Sequence, residues 1–544
     1  LGEAEWRQRF NSGHYNLKVA GIHQQQPDAF KPGTVDRGTD VDPNRTRLMF
    51  ATKGDFRINP RWAFGWDILV QNDKNFAYTY QIENYSDYVH RSEIYLTGLN
   101  DRNYFDLRAM RFQIQESIPD RTPAGLRNSD ALNPLQPWVL PTFDYTYTPD
   151  APVAGGELTF EVNSRVIYRN ERDTRVLSAA ELAAFNPARL GPAPAVRGTD
   201  DTNGRITSAV EWKRRFLAPG GLVLTPILHA QADATFTDYS SAAIADINAM
   251  AGALGVAADV RSSYYRYMAT AGLEARWPIL FSTTSAAHVL EPVAQIFVRP
   301  DEPYARSLGL PNEDAQSLVF DATTLFERDK FSGWDRIEGG TRANLGIRYS
   351  GRFANGWTAN ALFGQSYHLA GVNSFASPDL VSAGAFSGLE TARSDYVGLV
   401  GVSTPFGVSA AAAGRFDEVN LEMRRGELRA SYSNPFLSLS GQYAFIQAQP
   451  LYGFVSDRHE VSVGASTNLT PNWSLFASGT YDLEANLLVR DSLGISYADE
   501  CVIYTMSMSQ SRNRTTQEVT RSIGFFLSLR TIGDFGSSSS QFQQ

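Results

Sequence analysis

The stretch Gly221-Leu222-Val223-Leu224-Thr225-Pro226-Ile227-Leu228-His229-Ala230-Gln231-Ala232-Asp233-Ala234-Thr235-Phe236-Thr237 decides how the chain is read. Side chains of an extended strand point alternately to opposite faces. Leu222, Leu224, Pro226, Leu228, Ala230, Ala232, Ala234 and Phe236 therefore share one face, and Thr225, His229, Gln231, Asp233 and Thr235 the other. The first face is oily and the second takes water. Trp62, Phe64, Trp66, Ile68 and Val70 repeat the pattern against Ala63, Gly65, Asp67 and Gln71. So do Trp473, Leu475, Ala477, Gly479, Tyr481 and Leu483 against Ser474, Ser478, Thr480 and Asp482.

Several strands of this kind start directly after a tight turn, often with an aromatic residue first. Asn59-Pro60 precedes Trp62, Asn355-Gly356 precedes Trp357, Pro405 precedes Phe406, Pro435 precedes Phe436 and Pro471-Asn472 precedes Trp473. Ala218-Pro219-Gly220 is another such turn. Between these turns lie long polar connections, such as 114–137, 170–203 and 301–332. Transmembrane β-barrels alternate short periplasmic turns with long outer loops and carry aromatics at the membrane interface. Trp62, Trp357, Phe406, Phe436 and Trp473 are thus candidate interface residues. Large soluble sandwiches and propellers share the strand alternation but not the asymmetry of turns and loops.

Composition agrees with strands rather than spanning helices. Aromatic residues make up 12% of the 544 positions, and the mean hydropathy of −0.28 is that of a water-soluble chain. The longest run of apolar residues and glycine, 249–258, is far shorter than the roughly 20 residues of a spanning helix. Lacking alternation, it is expected to be a short helix in an outer loop. A net charge of −9 without a basic block argues against nucleic acid as a partner. Cys501 stands alone, which excludes an internal disulfide and a multi-cysteine metal site. His14, His23, His90, His229, His288, His368 and His459 have no metal-ligand spacing. His229, Ser366 and His368 lack the G-x-S-x-G context of a hydrolase. No catalytic residue, metal or cofactor is expected.

Counted by alternation and turns, the chain holds about 23 strands. They form one all-β domain over residues 1–533, a large antiparallel transmembrane β-barrel, followed by a polar tail over 534–544. Bacterial single-chain barrels have an even number of strands and keep both ends in the periplasm. The last strand, near 520–531, ends on that side. The first, near 3–10, runs into the short turn Asn11-Ser12-Gly13 and so descends from outside. An odd number of strands, about three, is therefore expected upstream of Leu1, along with any signal peptide that has not been removed.

Three stretches in the middle of the chain resemble a known family. They are His288-Val289-Leu290-Glu291-Pro292-Val293-Ala294-Gln295, Leu310-Pro311-Asn312-Glu313-Asp314-Ala315-Gln316-Ser317, and Phe331-Ser332-Gly333-Trp334-Asp335-Arg336-Ile337-Glu338-Gly339-Gly340-Thr341-Arg342-Ala343-Asn344. With Trp6-Arg7-Gln8-Arg9-Phe10 and Leu140-Pro141-Thr142-Phe143-Asp144-Tyr145, they are similar, in this order, to the C-terminal barrel of LPS-assembly proteins, the LptD family, in its alphaproteobacterial form. The resemblance runs from near Leu1 to Gly533.

It implies an outer-membrane barrel of roughly 26 strands, here truncated at its N-terminus, in a Gram-negative bacterium. It also implies a periplasmic jelly roll that meets the Lpt bridge and an LptE-type lipoprotein plugging the lumen. The implied function is assembly of lipopolysaccharide into the outer leaflet, through a hydrated lumen and a lateral gate between the first and last strands. The gate half present here would be the last strand, with Ser522, Gly524, Phe526 and Ser528 on one face and Ile523, Phe525 and Leu527 on the other. Gly524 weakens packing there. A C-terminal strand carrying an assembly signal is an equal reading. Family cysteines near Cys501 pair with the N-terminal domain, so Cys501 is a candidate for such a disulfide, an unpaired thiol being the alternative. Asp301, Glu302, Glu313 and Asp314 are either solvated carboxylates or a divalent-cation site. The competing functions are a passive porin or polysaccharide exporter and, more remotely, a barrel hydrolase.

Overall fold

The two-faced segments are realised as strands. The computed structural model describes residues 1–26, 44–80, 82–115, 118–119, 126–127, 132–175, 195–314, 320–377, 379–381, 386–449, 456–512, 519–530 and 533–536. Along the chain run β1 (Gly2–Phe10), β2 (Gly13–His23), β3 (Thr46–Asn59), β4 (Trp62–Gln71), β5 (Val89–Asn100), β6 (Asn103–Ile114), β7 (Trp138–Tyr147) and β8 (Glu157–Arg169). There follow β9 (Asp201–Lys213), β10 (Val223–Thr237), β11 (Ser263–Arg276), β12 (Ala286–Val298), β13 (Thr341–Phe353), β14 (Thr358–Ala370), β15 (Tyr396–Ser403) and β16 (Val408–Phe416). The series ends with β17 (Met423–Ser433), β18 (Leu437–Ile446), β19 (Arg458–Asn468), β20 (Trp473–Asp482), β21 (Leu487–Ala498), β22 (Val502–Arg512) and β23 (Val519–Leu529).

Among the described residues these strands belong to one sheet of 26 segments, in which each pairs antiparallel with its neighbour in sequence. The other three segments are short. Phe216–Leu217 and Ile279–Ser282 continue β9 and β11 beyond breaks, and Gly533–Gly536 folds back onto β23. The 23 long strands match the count expected from the sequence.

The sheet is inverted relative to a water-soluble core. On β10, Leu228 is 55% and Phe236 50% exposed, whereas Gln231 is 8% and Asp233 6% exposed. Leaving apolar faces outward while burying charged ones is stable only where hydrocarbon meets the outer face. Apolar clusters do occur, but beneath loops. One joins Ala20, Met49, Ala51 and Leu69 to Phe76, Ile82 and Tyr85 around the short helix α1 (Phe76–Thr79).

Short and long connections alternate from β1 to β20, and the alternation fails only at 483–486, where a turn as short as 469–472 stands in the place of a long loop. Cys501 lies in the short turn between β21 and β22, exposed, with its N–H donated to Asp499 Oδ1 at 2.8 Å. The expected loop helix exists but is shifted. α2 spans Ser241–Leu254, capped by Ser240, whose hydroxyl accepts from Ala243 N, and ended by Gly255 at φ 68°. The apolar run 249–258 concealed the start because the preceding turns of helix, Ser241 to Asn248, mix small and polar residues. The strand at Gly533–Gly536 likewise extends into the stretch expected as tail, where it pairs with Phe526–Leu529 of β23. The remainder of the tail, Ala315-Gln316-Ser317 and parts of the connections at 176–194 and 513–518 lie outside the described residues.

Candidate lumen plug and seam

The wall arginines come first. Arg165 of β8 stands directly opposite Arg205 of β9, both facing inward and both buried. Like charges in opposed positions destabilise a sheet, so this pair demands an anion. The connection 299–340, between β12 and β13, supplies it. Asp335 is buried and accepts from Arg165 Nη2 at 2.6 Å, from Arg205 Nη1, and from the backbone N–H of Glu313 at 2.6 Å. Burial alone would raise the Asp335 carboxyl, but the two guanidinium groups outweigh it and hold it below the usual carboxylate range.

The same loop is pinned at further points. Glu313 takes both arms of Arg169 at 2.6 and 2.5 Å. Arg266 of β11, paired with Asp233 of β10 at 2.9 Å, donates to the Asp335 carbonyl at 2.8 Å and lies 3.4 Å from Glu302. Glu338 sits between Arg299, at 3.2 Å, and Arg342 of β13. Burial opposes its charge, yet Arg299, Arg342 and Lys330 bring it down to about 2. Lys330, buried with its ammonium on the carbonyls of Leu325 and Glu327, is pushed down by burial to about 8.

The loop is also internally braced. The Asp314 carboxylate accepts the successive N–H groups of Trp334, Asp335 and Arg336 at 3.1, 2.8 and 3.1 Å. Arg336 stacks 4.4 Å from the Phe331 ring and meets Asp379 of the connection 371–395 at 3.0 Å; Asn312 reaches the same carboxylate at 2.7 Å. A Cβ on Gly339 would stand 2.6 Å from Glu302 N, and Gly340 adopts φ 74°. Val196, Ile247, Met250, Leu308 and Leu380, from four long connections, form an apolar cap over this end. A polar cavity of about 590 Å³, lined by Glu211, His229, Arg276 and Trp334 among others, remains beside the plug.

Of the motif residues, Asn312, Glu313, Asp314, Asp335, Arg336, Gly339 and Gly340 thus meet in one plug. Leu290, Glu291 and Pro292 do not; they belong to β12. Pro292 cannot donate to the ladder, and it lies where β11 breaks, since Arg276 pairs with Val293 and Ile279 with Leu290. The carboxylates considered for a cation are held otherwise: Glu302 and Glu313 by arginines, Asp301 and Asp314 by backbone N–H groups, and no metal-holding group occurs among the described residues. Sequence reasoning missed Arg165, Arg169, Arg205 and Arg266. Their inward parity on strands was the available signal, because unbalanced charge inside a barrel requires counter-ions.

On β23, Ile523 and Phe525 face outward and are exposed, while Gly524 and Phe526 face inward and are buried. Ser522 is exposed, and Leu527 and Ser528 are half-buried. Among the described residues β1 pairs with β2 alone, and no pairing joins it to β23. At the short-turn rim, Phe406, Phe436 and Trp473 are exposed; Trp357 packs edge-on to Phe406 at 5.8 Å, Trp473 lies 5.1 Å from Tyr497, and Trp62 5.0 Å from Phe105.

Solved structures with related outlines include a ferric enterobactin receptor (PfeA) mutant of Pseudomonas aeruginosa. It is 10% identical, with 95% of this chain and 80% of that chain covered and a TM-score of 0.44. The FrpB iron transporter of Neisseria meningitidis is 9% identical over 96% and 82%, with a TM-score of 0.43. A Rh. blastica porin mutant is 13% identical over 62% and 92%, with a TM-score of 0.22. These overlaps are partial, and the fold rests on the strand pairing itself. No curated protein matches the chain. Residues 45–473, which contain the plug and most of the wall, match the family described as LPS transport system D. The chain therefore belongs to the LptD family, outer-membrane barrels of lipopolysaccharide transport and not a family of enzymes.

Proposed function

We propose that this barrel delivers lipopolysaccharide to the outer leaflet, passing the sugar-rich head through its lumen and the acyl chains sideways at a seam between the first and last strands of the barrel, with β23 as the last. The carrying observation is a polar interior closed by a loop that its own wall charges hold in place, so that the path is wet but shut at rest. Acyl chains cannot follow a charged lumen, because burying apolar chains among ions forfeits the solvation of both. In hydrocarbon each unpaired backbone group costs several kcal/mol, so opening of the seam is transient and driven by cargo. The lumen also takes a plug lipoprotein of the LptE type, and a periplasmic jelly roll supplies cargo from the Lpt bridge. In this reading Cys501, exposed in a short turn, forms a disulfide to that jelly roll. The short-turn aromatics anchor the rim at the interface.

Depletion in cells tests this reading. Newly made lipopolysaccharide should disappear from the surface and accumulate inside before growth stops. Surface lipopolysaccharide that is unaffected while small-solute uptake slows would instead identify a passive porin.

A further inference from the structure

The lumen has two unlike halves. From β8 to β14 the inner wall is charged and occupied by the plug. From β16 to β23 it carries a row of hydroxyls along one cross-strand line, which climbs the wall because barrel strands tilt by about 35–45°. Ser409 opposes Ser431, which opposes Ser440; Gly464 takes the next place, and Ser478, Ser492, Ser509 and Ser522 complete the line across eight successive strands. Cross-strand partners share a face, and the residues one step along, such as Leu439, Val463, Leu493 and Met508, are exposed on the oily side. The row therefore faces the lumen. None of its members is buried. Neighbouring hydroxyls satisfy one another, Ser409 with Ser431 and Ser478 with Ser492, both at 2.7 Å.

On the short-turn side the surroundings are uncharged as well. The next inward row on the short-turn side runs from Ser433 and Ser438 through Ser466 and Phe476 to Ser507, and the one after it holds Asn468, Ser474, Ser496 and Thr505. Charge returns on the long-loop side, with Arg429 and Arg490 in the next inward row and Glu427, Glu460 and Asp482 in the one beyond it.

We infer that this hydroxyl belt is the track along which the uncharged saccharide part of the cargo moves, an assignment that rests on the transport function proposed above. A hydroxyl both donates and accepts, so it can bond a sugar hydroxyl in either sense. Because the serines already bond one another, a passing sugar exchanges bonds with little net gain. Passage needs this, since binding must be weak and repeated along the path for the cargo to leave. A wall of arginines would instead detain the phosphates of the cargo, and a wall of carboxylates would repel them. The plugged half, rich in both, is unsuited to that role.

The test uses the complete transport complex reconstituted in vesicles and two purified lipopolysaccharides, one with a long glycan and one truncated to its core. Ser478→Val with Ser492→Val, which removes both hydroxyls without adding charge, should lower delivery of the long-glycan form at least about fivefold and of the truncated form less than about twofold. Ser478→Thr with Ser492→Thr, which keeps both hydroxyls at the same bulk, should recover most of the long-glycan delivery that the hydroxyl-free pair loses. Equal losses for the two cargoes, or no loss, would overturn the inference. Equal losses accompanied by loss of the co-purifying plug lipoprotein would assign the belt to a protein contact and overturn it too. A parent complex that delivers neither cargo would refute the transport function itself.

Discussion

Replacing Asp335 by Asn removes one charge and almost no volume, and its consequence follows from the geometry. Arg165 and Arg205 would remain opposed and buried without an anion, while Asn could still accept from one of them. Breaking a buried ion pair by removing one partner costs about 3–5 kcal/mol. The sheet itself is held by its ladders, so that cost falls on the docking of the loop. At about 1.4 kcal/mol per factor of ten, the fraction of time the plug stands detached should rise by roughly 10² to 4 × 10³. Single-channel recording in planar bilayers reads this directly, the parent being mostly silent and D335N showing frequent openings. Adding Arg165→Gln and Arg205→Gln to D335N should restore most of the silence, because a neutral hydrogen-bonded trio leaves no buried charge uncompensated. If D335N, with the gel mobility of a folded barrel, is as silent as the parent, the wall charges do not hold the plug.

Further outcomes follow from the same contacts. Glu338 has its folded pKa lowered to about 2, so its contribution of about 3 kcal/mol is complete above the unfolded value near 4.3 and is lost as pH falls between them. Openings should therefore multiply only below about pH 4, and onset near pH 6 would contradict the assignment. Gly339→Ala places a Cβ against backbone at Glu302 and should loosen the plug as D335N does; silent channels from folded G339A would show that the loop yields there instead. For Cys501, maleimide labelling of the intact native protein without reductant should fail and should succeed after reduction, whereas labelling before reduction would mean a free thiol.

The wall was legible in the sequence because its rule is local. A residue's face follows from its parity, and the turns announce themselves through Pro, Gly and Asn. Leu228 and Phe236 outward with Gln231 and Asp233 inward required no knowledge of distant residues. The plug was not legible in this way. Asp335 meets Arg165 across 170 positions and Glu313 meets Arg169 across 144, contacts that no periodicity encodes. Only the resemblance to the LptD family drew attention to those loop residues, and it gave no reason for them. The reason is electrostatic: the strands carry inward arginines that need partners. Local signals also failed at Ser241–Leu254, where small residues masked a helix start, and at Gly533–Gly536, where pairing to β23 draws in chain expected to be a tail.

The central claim is that the sheet shows oil to lipid and hydroxyls to water. Fluorescent labels at single cysteines in place of Ala477, Ser478, Gly479 and Thr480 of β20, with Cys501→Ser, test it in bilayers. Lipids bearing a quencher should dim positions 477 and 479, and aqueous iodide should dim 478 and 480. Quenching that does not alternate, or that alternates with the opposite phase, would contradict the account.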